Sequence, residues 1–124
     1  MMFLMCPTNR HVSAFKRFSS MREKAQRDMR NRFGLWIQEI ADRRFHHGFN
    51  KPHEDCHVFK KGALRLYGFK CHPKSDPRFR LCVLVTGDTK DQMETDLRIL
   101  DRINELMKLP RVIGAVDALF DRGP

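Results

Sequence analysis

The chain has 124 residues, 41% of them apolar and 31% charged, which suits one soluble globular domain over 1–124 and excludes a disordered chain. Its 24 Lys and Arg against 15 Asp and Glu leave a net charge of +9, so a polyanion heads the classes of partner to consider. No apolar run approaches the roughly 18 residues of a membrane span, which excludes a transmembrane helix.

Met2 to Met5 reads as a short strand, and Pro7-Thr8-Asn9 as a turn. Over 13–45 the spacing is helical: Phe15, Phe18, Ala25, Met29, Phe33, Trp36, Ile37 and Ile40 recur at intervals of three, four and seven. Ser13 is the expected N-cap, and Gly34 is the expected break if this stretch forms two helices. The opposite face is basic, with Lys16, Arg17, Arg22, Lys24, Arg27, Arg30 and Arg32. Such a stripe is either a solvated face or a surface for RNA or a partner, because like charges three and four apart repel and gain nothing locally. The Gly, Asn and Pro of residues 46–53 predict a loop.

Strands come next. Cys56-His57-Val58-Phe59 is short, and Lys60-Lys61-Gly62 is the expected hairpin turn. Residues 63–71 alternate, with Leu64 and Leu66 on one side and Arg65 and Tyr67 on the other. Pro73 and Pro77 put a turn at 72–78. Leu81-Cys82-Val83-Leu84-Val85 is a continuous apolar run, the pattern of a strand covered on both faces. Thr89-Lys90-Asp91-Gln92 has the form of a capping box for a helix bearing Leu97, Leu100, Ile103 and Met107. Pro110 stops that helix or starts another, which carries Val112, Ile113, Val116, Leu119 and Phe120. The predicted class is α+β: one long N-terminal helix or two, a small antiparallel sheet of 3–4 strands, and one or two C-terminal helices.

Charge falls along the chain, from +7 over residues 1–53 through +4 over 54–90 to −2 over 91–124. An anion-binding surface is therefore expected in the first two thirds. In the last third, Asp91, Glu94, Asp96, Asp101 and Glu105 alternate with Arg98, Arg102 and Lys108, the pattern of a salt-bridged helix face or a docking surface. Met1 to Cys6 is too short for an export signal, and its basic residues follow it. Cys6, Cys56, Cys71 and Cys82 are accordingly expected as reduced thiols in a cytoplasm.

The stretch Gly62-Ala63-Leu64-Arg65-Leu66-Tyr67-Gly68-Phe69, followed by the strand at 79–85 and Gly87-Asp88-Thr89-Lys90-Asp91-Gln92, resembles the HigB branch of the RelE-like toxins over roughly residues 35–107. That resemblance implies a small fold of the microbial-RNase type and ribosome-dependent cleavage of mRNA. It also implies an antitoxin encoded alongside. The chain departs from the pattern in two ways. Its N-terminal helix is longer and more basic, and the terminal helix has no His or Tyr, where family members often place one for catalysis.

Metal-free RNA cleavage needs a base for the 2′-hydroxyl, cations for the phosphate, and an acid for the leaving oxygen. The residues expected to supply these are Arg65 and Arg80 on phosphate, Tyr67 as a stacking group or acid, and His72 as general acid or base. Lys16, Arg17, Arg27, Arg30, Lys60, Lys61, Lys70 and Lys90 are the expected nucleic-acid contacts. No metal or cofactor is expected. Cys56-His57 and Cys71-His72 have zinc-ligand chemistry, but adjacent strand residues point to opposite faces and no C-x-x-C is present. The partners that the resemblance implies are mRNA, the ribosome and an antitoxin, and no membrane is expected. The alternative is a non-enzymatic basic module that binds nucleic acid or a protein through the helix at 13–45, and a weaker one is a small zinc-stabilised interaction domain.

Overall fold

The computed structural model describes the backbone of residues 2–3 and, in full, residues 13–89 and 96–122. The turn expected at 7–9 lies outside the described residues. So do Lys90, Asp91, Gln92 and Glu94, and with them most of the expected capping box. The order is β1 (Met2–Phe3), α1 (Ala14–Ser19), α2 (Glu23–Ile37), β2 (His46–Gly48), β3 (Cys56–Lys61), β4 (Leu64–Cys71), β5 (Leu81–Thr89), α3 (Leu97–Met107) and α4 (Pro110–Arg122). This is the α+β arrangement that the sequence predicts. Four strands run antiparallel as β5-β4-β3-β2, and β1 adds to β5 in parallel.

The helical stretch is two helices, and the break falls earlier than Gly34. Ser13 caps α1 as expected, its Oγ accepting from the Lys16 N–H at 3.1 Å. The helix then stops because the hydroxyls of Ser19 and Ser20 donate back to the carbonyls of Phe15 and Lys16 at 2.7 and 2.8 Å. The Gln26 amide donates to the carbonyls of Phe18 and Met21 at 3.0 and 3.2 Å and fixes the turn into α2. Helix α2 runs through Gly34 and ends at Ile37, eight residues short of the expected end. Its terminus is a Schellman motif: Glu39 N–H donates to Trp36 O and Ile40 N–H to Leu35 O, with Glu39 at φ 60°. A glutamate at the position that glycine usually fills gives no stop signal in the sequence.

The expected loop at 46–53 begins as a strand. β2 has no strand composition of its own and exists by pairing His46 with Phe59, His47 with Val58 and Gly48 with His57. Lys60 and Lys61 belong to β3, so the hairpin turn is Gly62-Ala63. Positive φ at Gly62 alone is the pattern of a type II′ turn. Between β4 and β5 the register shifts at Tyr67/Gly68, which leaves Val85 as the extra residue of a bulge.

Both faces of the sheet are covered. Phe59, Leu66, Cys82 and Leu84 pack under Ala14, Met29, Phe33 and Trp36 of α1 and α2. Cys56, Val58, Tyr67, Phe69, Val83 and Val85 pack under Ile99, Leu100, Ile103 and Leu106 of α3 and Val112 and Val116 of α4. The loop after β4 is tied to α4, with Lys74 N–H donating to Asp117 at 3.0 Å and the Ser75 hydroxyl to Asp121 at 2.6 Å. No helix among the described residues is long and apolar enough to cross a membrane.

Candidate nucleic-acid interface

One edge of the sheet is β2, and its alternation sends His46 and His47 to opposite faces. His47 lies on the α3 side, half-buried, with the Phe49 ring 5.1 Å away edge-on. Its Nδ1 is 2.8 Å from the Gly48 carbonyl, which can only accept. Nδ1 therefore carries the proton, and Nε2 keeps its lone pair. Burial holds this imidazole below its ordinary pKa. The bond to Gly48 opposes that shift, and the charges of Lys60, Arg43 and Arg65 push it further down. Lys60 and Arg65 face each other across β3 and β4, on the same side as His47. The Lys60 ammonium is pinned to the Arg43 carbonyl at 2.7 Å, and Arg65 is held over the hairpin by the carbonyls of Gly62 and Leu64. A neutral base thus sits among cations that a phosphate would satisfy.

Of the residues expected from sequence to do chemistry, only Arg65 belongs to this cluster. Tyr67 shares its side of β4, but that side is roofed by α3 and α4, and Tyr67 is 0% exposed. It is a core residue and cannot stack on a base. Arg80 precedes β5 at the far end of the β4–β5 pair and lies on the α2 side, with its guanidinium carbon 3.9 Å from the Trp36 ring centre. His72 is exposed in the loop after β4, where its Nδ1 donates to Phe79 O at 2.8 Å. The set expected to converge is therefore divided among four places.

The expected nucleic-acid contacts divide as well. Lys60 joins Arg65, whereas Lys61 pairs with Asp28 at 3.0 Å. Lys16 on α1 and Arg27 and Arg30 on α2 are exposed. Arg17 is half-buried, and its Cγ lies where a Cβ on Gly87 would come within 2.7 Å. Lys70 lines a cleft on the opposite face, and Lys90 lies outside the described residues. Sequence reading missed His47 because Gly48, Asn50 and Pro52 make its surroundings look like a loop. The one available signal was that adjacent histidines in an extended segment must face opposite ways.

The cleft on the α2 side has a volume of about 380 Å³. Trp36, Arg80, Lys70, His57, Glu54 and Asp55 give it its chemistry. His46 Nε2 lies 2.8 Å from the Ile40 carbonyl, so it is protonated there and its Nδ1 accepts from His57 Nε2 at 2.9 Å. Burial pushes the His57 pKa down to about 3, and the nearby His46, His47, Arg80 and Lys70 add to the shift. Arg80 also donates to the Trp36 carbonyl and lies 3.9 Å from a Glu39 carboxylate oxygen.

Zinc ligation by Cys56-His57 does not fit this geometry. Cys56 lies on the α3 side with its thiol 3.5 Å from Asn104 Oδ1, and His57 lies on the other face. Among the described residues no group of three or more His, Cys, Asp or Glu is placed to hold a metal ion. Cys56, Cys71 and Cys82 are free, and burial raises each thiol pKa, that of Cys56 to about 12, which makes them inert packing groups. No family model, curated protein or solved structure matches this chain.

Proposed function

We propose that this protein is a cytoplasmic RelE/HigB-like toxin: a metal-independent endoribonuclease that cleaves mRNA on the ribosome and is neutralised by an antitoxin. The observation that carries this reading is a neutral His47 with a free Nε2 lone pair, beside Lys60, Arg43 and Arg65. The order of hairpin, apolar strand and helix in β3, β4, β5 and α3 supports it, because the resemblance implies that order. In this reading His47 Nε2 takes the proton of the ribose 2′-hydroxyl. The 2′-oxygen bonds to phosphorus, the bond to the 5′-oxygen breaks, and that oxygen takes a proton from water. Lys60 and Arg65 hold the charge that builds on the phosphoryl oxygens.

Induced expression in a bacterial host, with growth and mRNA integrity followed together, tests this. Growth arrest with shortened transcripts is expected. Both should disappear in His47→Ala and Arg65→Ala, since a lost general base costs about 10²–10⁴-fold in rate. Normal growth with intact mRNA would overturn the reading. The exposed stripe of Lys24, Arg27 and Arg30 on α2 favours a second one, a non-enzymatic module that binds RNA through that helix.

A further inference from the structure

The cleft on the α2 side is not needed to cut a phosphodiester, yet it gathers the groups that recognise a base. We infer that it is a subsite for an unpaired guanine base of single-stranded RNA, stacked on Arg80 and paired through its donor edge with the carboxylates of Glu54 and Asp55. The inference rests on the reading of this protein as one that acts on RNA.

Three observations carry it. First, Arg80 is a prepared stacking plane. Its guanidinium carbon lies 3.9 Å from the centre of the Trp36 ring and the group is tied to the Trp36 carbonyl, so little freedom remains to be lost when a base covers it. The side chain keeps 27% exposure, which is the surface left for that base. Second, the polar groups of the wall suit one base edge. Guanine presents two parallel donors, N1–H and the 2-amino group, which match a carboxylate, while O6 and N7 accept from an ammonium such as that of Lys70. Adenine and cytosine each set a ring-nitrogen lone pair beside their single amino group, and uracil flanks its one N–H with carbonyls, so each meets a carboxylate with repulsion. Third, the cleft and the His47 cluster meet at β2. That strand is an edge of the sheet, with His46 lining the cleft and His47 facing the other way. One RNA strand passing over this edge can place a base in the cleft and a phosphate against Lys60 and Arg65.

The test is an NMR titration of the intact chain that follows the indole N–H signal of Trp36, its one tryptophan. The probes are the 5′-monophosphates of guanosine, adenosine, cytidine and uridine, with ribose 5-phosphate alongside. A saturable shift with the guanosine nucleotide is expected, at least tenfold tighter than with the other three. It should be weakened at least tenfold in Glu54→Gln/Asp55→Asn, whose changes lie on the cleft rim, and in Arg80→Ala. Equal shifts with all four nucleotides, a shift with ribose 5-phosphate alone, or no shift would each overturn the inference. Mononucleotides require no cleavage. A chain that binds guanosine yet leaves mRNA intact keeps this inference and loses the toxin reading, and one that cuts RNA without binding a base does the reverse.

Discussion

His57 stays neutral in the fold over a pH range in which a free imidazole would charge, and that has a cost in acid. Its pKa falls from an ordinary 6.5 to about 3, chiefly through burial. Below pH 6.5 the unfolded chain therefore takes up a proton that the folded chain refuses, and stability falls as the solution is acidified. The full slope for one such group is about 1.4 kcal/mol per pH unit. His47, also depressed by burial, acts in the same direction. Urea unfolding between pH 7 and pH 5 should show the midpoint falling, and His57→Gln should flatten that fall. An unchanged slope in the variant would show that the His46–His57 pair does not set it. His47 makes a second prediction. In the cleavage reading its Nε2 must be unprotonated, so the acid limb of the pH–rate profile should have its midpoint below pH 6.5. In the sequence His57 stood out only as half of a Cys-His pair, and composition can show six histidines but not which of them a two-strand pairing will bury. Arg65 was legible because alternation along a strong strand fixes its side. Tyr67 was misjudged because alternation says nothing about whether a later helix covers that side.

Elements with a strong pattern of their own were legible: β4, β5 and the two C-terminal helices lie close to where periodicity puts them. Elements defined by a partner were not. β2 depends on β3, and the end of α2 depends on a Glu39 conformation that no residue type announces. The glycines divide along the same line. Gly34 read as a helix breaker, yet it lies inside α2 with only the far end of Gln38 near its missing Cβ. Gly68 raised no concern, yet it is the glycine that the sheet requires. Beside the bulge, a Cβ on Gly68 would lie 2.3 Å from the Val83 carbonyl oxygen, and that oxygen belongs to backbone that cannot swing away. Gly68→Ala should therefore destabilise by about 3 kcal/mol, at the upper end for overpacking. Gly114 lies within α4 with nothing within 4 Å of its missing Cβ. Gly114→Ala should stabilise by about 1 kcal/mol. Chemical denaturation of the two variants checks both signs. A neutral Gly68→Ala would mean that the β4–β5 bulge rearranges freely.

Across the whole molecule the charge is divided by element. The last third is acidic in sequence, but its described carboxylates are largely engaged: Asp96 with Arg98 at 3.0 Å, Glu105 with Arg102 at 3.2 Å, and Asp101 with His53 at 2.7 Å. Asp117 and Asp121 hold the loop after β4. Among the described residues, two basic groups bear on function, the α2 stripe and the end of the β3–β4 hairpin, and the two functional readings differ in which of them RNA follows. Salt dependence separates them. Each phosphate neutralised on a single strand contributes about −0.7 to the slope of log K against log salt. If RNA lies over the hairpin, Lys60→Ala/Arg65→Ala should make the slope shallower by roughly 1.4, and Arg27→Ala/Arg30→Ala should leave it nearly unchanged. Lys61 is a control on the same hairpin. It is already paired with Asp28, so Lys61→Ala should alter the slope least of the three hairpin residues. The reverse pattern, a slope set by Arg27 and Arg30, would move RNA to α2. His47 would then face no phosphate, and the chain would be a binding module without a cleavage step.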